Sequence, residues 1–195
     1  IHKLKTQLNK VERVSKVGRK SRENAFRIAI VGYTNAGKSS LFNLLCKENI
    51  YVEDKLFATL DTHTRKLYFS NDAPVQVIIS DTVGFIDRLP HTLIASFKST
   101  LSEVVEADLL IHLIDSSDKN IEEKIIKVEN TIKEIGASEI KSLSVFNKID
   151  CIDEIQKDKI KILYNNPIFI SAKNNINIEN LRKIILNTIL ELNKI

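Results

Sequence analysis

The sequence predicts a three-layer α/β fold with a mainly parallel six-stranded sheet and one antiparallel edge strand, preceded by a basic N-terminal helix. Three observations predict it: short β-type runs alternate with segments of helical periodicity, the run at 108–115 is mostly apolar, and two runs flank a turn-forming tetrapeptide. Alternating strands and helices favour a parallel sheet covered by helices on both faces. A chain of 195 residues, 43% of them hydrophobic, suits one domain with a sizeable core.

The first half of the chain accounts for three strands and two helices. Residues 26–31 form an apolar β-type run that stops at Gly32, and helical spacing follows over 38–47. Turn-prone polar residues fill most of 48–64, which predicts a loop. Two β-type runs, 65–70 and 75–80, are joined by Asn-Asp-Ala-Pro in the pattern of a hairpin, and 93–105 has helical spacing.

The second half supplies three more strands and two helices. After the apolar run at 108–115, helical spacing over 122–135 stops at Gly136, a residue that favours helix ends. Residues 143–146 and 168–170 are short strand runs. The last helix is predicted from about residue 178, with Asn177 as its N-cap, to near residue 192.

The basic residues are concentrated at the N-terminus. Residues 1–27 contain nine Lys and Arg against two Glu, whereas the rest of the chain contains 20 Lys and Arg against 23 acidic residues. Apolar residues at helical spacing predict a basic amphipathic helix to about residue 16, and 18–22 is typical of a linker. Two interpretations stay open: a solvated connecting helix, or a surface for a phosphate-rich partner such as RNA.

Several classes of protein are disfavoured by composition. No apolar run approaches the roughly 20 residues of a membrane span, and no secretory signal is visible. Cys46 and Cys151 have neither CxxC nor metal-ligand spacing, so we expect reduced thiols in a cytoplasmic protein. Because the sequence starts at Ile1 and contains no Met, we expect it to be a piece of a longer protein.

Residues 32–39, Gly-Tyr-Thr-Asn-Ala-Gly-Lys-Ser, match the phosphate-binding loop of P-loop NTPases. Backbone N–H groups of such a loop point at phosphate oxygens, glycines allow close approach, and the N-terminus of the following helix favours negative charge. We expect Lys38 to neutralise the outer phosphates as a catalytic group and the Ser39 hydroxyl to bind Mg²⁺. The expected nucleotide contacts are Gly32, Tyr33, Thr34, Asn35, Ala36, Gly37, Lys38, Ser39 and Ser40.

Asp81-Thr82-Val83-Gly84 follows the third predicted strand, and all four residues are expected to contact the nucleotide. A carboxylate at Asp81 can hold Mg²⁺, usually through water, and the N–H of Gly84 can reach the γ-phosphate as a catalytic contact. A switch loop also needs one hydroxyl to complete the metal shell. Thr59, Thr62 and Thr64 all qualify chemically, and the spacing from Ser39 favours Thr59.

Asn147-Lys148-Ile149-Asp150 follows the fifth predicted strand. The carboxylate of Asp150 can accept the N1–H and 2-amino hydrogens of guanine, a donor pair that adenine lacks. Asn147 can tie this segment to the phosphate loop, and the Lys148 stem can cover the base. The N–H of Ala172, between Ser171 and Lys173, can donate to guanine O6. Together the motifs predict an Mg²⁺-dependent enzyme that binds and hydrolyses GTP.

These motifs, in this order, resemble those of the translation-factor-related P-loop GTPases, and three segments narrow the resemblance to the HflX family. The segments are 32–39, Leu-Phe-Ala-Thr-Leu-Asp at 56–61, and Asp-Thr-Val-Gly-Phe-Ile at 81–86 followed by Leu-Pro-His at 89–91. The resemblance covers the chain from about Phe26 to Leu192. One departure is that Thr62 stands at the usual proline and His63 where the family often has Thr, so the path of the switch loop is open.

The resemblance implies further roles for residues and partners. Thr59 aligns with the switch metal ligand and is expected to be catalytic, and the aligned stretch Phe57, Ala58, Thr59, Leu60 and Asp61 is expected to contact the nucleotide. Residues 1–25 resemble the end of a helical linker from a missing N-terminal domain, and 26–195 a GTPase domain. The family resemblance also implies binding to the large ribosomal subunit and its rRNA and a role in splitting stalled ribosomes. The oligomeric state is left open by the sequence, with a monomer as the expectation.

The residue after Gly84 affects the expected rate. Many related GTPases have Gln there to orient the attacking water, whereas Phe85 has no hydrogen-bonding group. We therefore expect slow hydrolysis without a partner, unless Asp87 or Arg88 supplies the missing group. Arg65 and Arg88 are candidates for an arginine finger.

Three alternative functions stay open. The first is an adenine-nucleotide P-loop enzyme, which 147–150 disfavours. The others are an RNA- or ribosome-binding module that uses the nucleotide as a timer, and an Obg-like or tRNA-modification GTPase.

Overall fold

The structure, a computed structural model, describes residues 25–47, 63–69, 75–82 and 98–192. It contains a six-stranded sheet of order β2-β3-β1-β4-β5-β6. The elements are β1 Phe26–Val31, α1 Lys38–Lys47, β2 His63–Phe69, β3 Val75–Asp81, α2 Lys98–Val105, β4 Leu109–Asp115, α3 Ile121–Glu134, β5 Lys141–Asn147, a 3₁₀ turn Ile149–Cys151, α4 Glu154–Leu163, β6 Ile168–Phe169 and α5 Ile178–Leu192.

The strand directions confirm the predicted fold class. β1, β4, β5 and β6 pair in parallel with their neighbours, as does β3 with β1. Of the six strands described, the edge strand β2 alone runs antiparallel, against β3, as the hairpin pattern predicts. Because the parallel strands all end at one edge, the described residues that follow β1, β5 and β6 lie along that edge.

Helices cover both faces of the sheet and make three layers. Successive residues of β4 point to opposite faces: Ile111 joins the larger core with α1 and α5, whereas Leu110 packs towards α2 and α3. A third cluster around Phe146 joins α3 to α4. The central strands are therefore buried on both faces, which is why their sequences are mostly apolar.

The observed boundaries differ from the predicted ones by small amounts. β3 extends to Asp81, β5 is longer at both ends, and β6 ends one residue earlier than expected. Gly136, with φ of 80°, ends α3 as predicted. Asn177 precedes α5 with φ of 60°, and its side-chain amide donates to the carbonyl of Phe169 at 2.9 Å.

One helix, α4, is not predicted from the sequence. Its apolar residues do not mark a buried face, because Ile155 and Ile162 are exposed and only Ile160 is buried. The helix is started by Asp153, whose carboxylate accepts the N–H of Gln156 at 2.8 Å. That N-cap is the local signal that could have revealed the helix.

Other predictions fall outside the described part of the chain. The N-terminal helix and linker, most of the loop at 48–64 and the first part of the helix at 93–105 belong to this group. Within the described ranges, no helix has both the length and the apolar character that crossing a membrane requires.

Candidate functional site

The phosphate loop is positioned by two glycines that contact other strands. Gly32 has φ of 154°, and a Cβ there would lie 2.2 Å from the carbonyl oxygen of Leu113 in β4. Gly37 has φ of 97°, and its Cβ would lie 2.4 Å from Nδ2 of Asn147. Both positions combine a backbone angle that disfavours side chains with no room for one. The two motif glycines thus let the loop approach β4 and β5 closely.

Lys38 lies at the start of α1 and is almost fully buried. Its ammonium donates to the carbonyl of Tyr33 at 3.1 Å, so the loop itself holds the side chain. Burial lowers the pKa of Lys38, and the nearby Asp81 carboxylate opposes that change by raising it. A buried cation beside an acid at the N-terminus of a helix suits the binding of an anion.

Asp81 ends β3 and is buried, and the next residue, Thr82, donates its hydroxyl to the carbonyl of Ile30 at 2.6 Å. This bond holds the end of β3 against β1. The Asp81 carboxylate and the Ser39 hydroxyl are hard oxygen donors of the kind that Mg²⁺ prefers. No three His, Cys, Asp or Glu side chains cluster within the described ranges. A metal here would therefore take most of its ligands from phosphate and water, as Mg²⁺ commonly does.

Asn147 joins three segments of the site. It ends β5, is buried, and donates through Nδ2 to the carbonyl of Ala36 at 2.8 Å. Its Oδ1 accepts the N–H of Ala172 at 2.9 Å. The tie to the phosphate loop expected from the sequence is therefore present. The N–H of Ala172, expected to donate to guanine O6, is engaged by Asn147 here, so O6 would have to share or replace that bond.

The segment after Asn147 makes a sharp turn at Lys148 and continues into a 3₁₀ turn. Lys148 has φ of 64°, in the left-handed region, and its ammonium pairs with Oδ2 of Asp115 at 2.6 Å. Asp150 lies in the 3₁₀ turn, which the N–H of Ile149 ties to the carbonyl of Ile170 at 3.2 Å. The pKa of the exposed Asp150 is lowered, chiefly by a hydrogen bond from the Ser171 side chain. The carboxylate is thus charged and accessible.

The segment at 171–173 is held by a short bridge. The N–H groups and carbonyls of Ser171 and Ile176 exchange two hydrogen bonds of 3.0–3.1 Å. Residues of this segment line one cavity together with the phosphate loop and the 147–151 segment. The lining residues are Asn35, Gly37, Lys38, Ser39, Ser40, Asn147, Lys148, Asp150, Cys151, Ser171, Ala172 and Lys173.

Some predicted residues lie elsewhere. Tyr33 and Thr34 line a smaller cavity against α3, where the Lys124 ammonium lies 4.5 Å from the Tyr33 ring centre. Arg65 lies near Cys46, where its charge opposes the rise that burial causes in the pKa of that thiol, to about 11. Five further predicted contacts that the structure describes are not among the residues that line the cavity: Gly32, Ala36, Asp81, Thr82 and Ile149. The other predicted contacts fall outside the described residues: Phe57, Ala58, Thr59, Leu60, Asp61, Val83 and Gly84, and with them Phe85, Asp87 and Arg88.

Two residues near the site were missed by the sequence interpretation. Cys151 lines the cavity beside Asp150, its thiol 3.6 Å from the carboxylate. Asp115 binds the Lys148 ammonium from the end of β4. The position of Asp115 in the sequence could have indicated that it lies near the site, because acidic residues at the carboxyl ends of parallel strands lie at the same edge of a sheet.

Comparison with known proteins agrees with this geometry. A family model described as "50S ribosome-binding GTPase" matches residues 27–148. The chain is 49% identical over 154 residues to GTPase HflX of Caldanaerobacter subterraneus subsp. tengcongensis, covering 79% of the chain and 34% of that protein. It is 40% identical over 177 residues to GTPase HflX of Escherichia coli, covering 89% of the chain and 41% of that protein. The chain thus spans between a third and a half of these relatives.

A solved structure has the same architecture over nearly the whole chain. A GTP-binding protein from the archaeon Sulfolobus solfataricus, in complex with GDP, superposes with a TM-score of 0.66 at 28% identity, covering 96% of this chain and 60% of that one. The fold, the cavity and the relatives agree with the family that the motifs indicated. This chain belongs to the HflX family of GTP-binding GTPases.

Proposed function

We propose that the cavity lined by the phosphate loop, 147–151 and 171–173 binds GTP in the presence of Mg²⁺, and that the chain hydrolyses it to GDP and phosphate. The observation that carries the proposal is a pair of hydrogen bonds at Asn147, which donates to the carbonyl of Ala36 and accepts the N–H of Ala172. They place a phosphate-binding loop and an accessible carboxylate, Asp150, on the walls of one cavity.

Base recognition is assigned to Asp150 and its neighbours. The charged carboxylate accepts two hydrogens from the guanine edge, and adenine would leave it without a matching donor pair. The Lys148 methylene stem covers one face of the base. The N–H of Ala172 contributes to O6, sharing its hydrogen with Asn147.

Phosphate binding and catalysis both depend on neutralising the negative charge of the phosphates. Lys38 and the N–H groups of the loop bind the outer phosphate oxygens, and Gly84 offers its N–H to the γ-phosphate. Ser39, Thr59 and Asp81 would hold Mg²⁺, Asp81 through water. A metal held there would supply positive charge to offset the negative charge that develops on the phosphate oxygens. Burial lowers the pKa of Lys38 and Asp81 opposes that change. Bound phosphates would add further negative charge that favours the protonated form.

The chain lacks a hydrogen-bonding side chain directly after Gly84 to position the attacking water. Phe85 cannot orient the attacking water, so the isolated chain should turn over slowly, roughly 10⁻⁴ to 10⁻² per second. A partner that positions the water would accelerate hydrolysis and make the reaction a switch.

For the longer protein we propose a large-ribosomal-subunit partner, binding through rRNA, and a role in splitting stalled ribosomes in the cytoplasm. The matching family description names a 50S-binding GTPase, and the basic segment 1–27 suits a phosphate-rich surface. In this view residues 1–25 end a helical linker and 26–195 form the GTPase domain, acting as a monomer. β1, which begins at Phe26, supports the boundary.

The nucleotide site is tested by competition binding to the purified chain. GDP should displace a fluorescent guanine nucleotide at concentrations at which ADP does not. Lys38→Ala should lose most of the affinity, whereas Lys159→Ala, on the exposed side of α4, should behave as the parent. Equal displacement by ADP and GDP would refute guanine recognition, and unchanged affinity in Lys38→Ala would refute the phosphate site.

The alternative, an RNA-binding module with the nucleotide as a timer, is favoured by the charge of residues 1–27. It predicts that this segment binds rRNA fragments with a steep dependence on salt, because phosphate contacts release counterions. RNA binding that is unchanged by nucleotide and by salt would count against both this alternative and the ribosomal partner.

A further inference from the structure

The ion pair between Lys148 and Asp115 joins the base-reading segment to a neighbouring strand. Asp115 is the last residue of β4 and lies opposite Asn147 in the parallel pairing of β4 with β5. The ammonium of Lys148 lies 2.6 Å from Oδ2 of Asp115. The acidic side chain is 17% exposed and the basic one 35%, so water screens this pair less than a fully exposed one.

Asp115 is itself held in place by two hydrogen bonds. Its Oδ1 accepts the N–H of Ser117 at 3.0 Å and the Ser117 hydroxyl at 2.6 Å. The N–H of Ser116 donates to the carbonyl of Asn147 at 2.9 Å, which ties the same turn to β5. The carboxylate is therefore a fixed acceptor, with Oδ2 turned to Lys148.

The carboxyl of Asp118 has a lowered pKa, chiefly because of its hydrogen bond from Lys124 and to a smaller extent because of the Lys148 charge. It already accepts the Lys124 ammonium and the N–H of Asn120, whereas Oδ2 of Asp115 accepts the Lys148 ammonium. A lysine side chain that loses its anchor regains rotamer freedom, which must be lost again when a ligand binds. Asp115 thus sets whether the Lys148 stem is ordered before the nucleotide arrives.

We infer that Asp115 is a positioning residue for guanine-nucleotide binding: it anchors the Lys148 ammonium at the end of β4 so that the methylene stem is held over one face of the purine. The inference rests on the proposed function of the cavity. The left-handed backbone of Lys148 directs the side chain back towards β4, whereas Asp150, two residues on, lines the cavity. Asp115 therefore acts on the face of the base, and Asp150 on its edge.

The test compares ligands that differ in the base. GDP, inosine diphosphate and inorganic pyrophosphate are titrated by calorimetry into the chain and into Asp115→Asn, which keeps the shape and removes the charge. Affinity for both nucleotides should fall about tenfold, and pyrophosphate should be unaffected. Because inosine lacks only the 2-amino group, the ratio of GDP to inosine diphosphate affinity should not change.

Two further variants separate positioning from general destabilisation. Lys148→Met keeps the stem and removes the charge, and in a double-mutant cycle its effect should not add to that of Asp115→Asn. Asp158→Asn is the matched control, because it removes an ion pair of 2.8 Å to Lys161 on α4, outside the cavity. It should bind all three ligands as the parent does.

Three results would overturn the inference while leaving the proposed function intact: unchanged GDP affinity in Asp115→Asn, an equal loss for pyrophosphate, or fully additive effects of the two variants. Failure of the parent chain to bind GDP would instead overturn the proposed function, and the inference with it.

Discussion

The side-chain amide of Asn147 donates to the carbonyl of Ala36 at 2.8 Å, although 111 residues separate them in the chain. The same side chain accepts the N–H of Ala172, so a single buried residue connects the phosphate loop, the end of β5 and the 171–173 segment. A Cβ at Gly37 would collide with this amide, which explains why the loop needs glycine at that position.

Asn147→Ala should therefore damage the cavity more than the loss of one contact would suggest. It leaves the carbonyl of Ala36 and the N–H of Ala172 without their partner in a buried place, at a cost of roughly 1–3 kcal/mol for each group. We expect GDP affinity to fall about a hundredfold, measured by calorimetry. The control is Asn174→Ala at an exposed site. Parent-like affinity in Asn147→Ala would show that the bridge is dispensable.

Asp150→Asn should change base preference. The amide presents a donor where the carboxylate accepted two hydrogens, so guanine loses its match and xanthine, with an oxygen in place of the 2-amino group, gains one. We expect GDP affinity to fall and xanthosine diphosphate affinity to rise, each by about tenfold or more. Competition binding with both nucleotides measures the ratio. A ratio unchanged from the parent would contradict the assignment of Asp150 to the guanine edge.

His112 should make the fold sensitive to acid. It is buried in β4, and burial lowers its pKa from 6.5 to about 4. Because the unfolded chain takes up a proton near pH 6.5 and the folded chain resists until about pH 4, stability falls as pH falls through this window. Between pH 7.5 and 5 the loss from this group is about 2 kcal/mol, and below about pH 4 it no longer grows.

Urea unfolding of the parent and of His112→Leu across pH 7.5 to 5 measures that contribution. The variant cannot be protonated at this position, so its free energy of unfolding should depend less on pH by about 2 kcal/mol over the range. Identical pH dependence in the two proteins would mean that His112 becomes charged within the folded state.

The rate of GTP hydrolysis should rise when a partner binds, because Phe85 cannot position the attacking water. Single-turnover hydrolysis by the full-length protein is followed with and without purified large ribosomal subunits. We expect acceleration by about a hundredfold or more, in the range that a supplied catalytic group gives to other GTPases. Small subunits are the matched control. A rate that is the same in all three mixtures would contradict the ribosomal partner.

Much of the fold and of the candidate site could be predicted because their signals are local in the sequence. The spacing of apolar residues predicted all six strands of the described sheet, each to within about two residues of its observed ends. Glycine and lysine in 32–39, and the carboxylate of Asp150, could be assigned chemistry without knowing where they lie. Helix α4 could not be predicted in this way because its apolar residues are mostly exposed, so their spacing does not mark a buried face.

The sequence by itself determined which chemical groups this protein carries and in what order: a phosphate loop, an acid suited to a metal and a carboxylate suited to guanine. Only the tertiary structure decided which of them meet. The bond from Asn147 to Ala36, the packing of Gly32 on Leu113 and the pair between Asp115 and Lys148 all depend on how β1, β4 and β5 align. Strand register and a single left-handed backbone angle at Lys148 set these distances, and neither is encoded by residue type at one position.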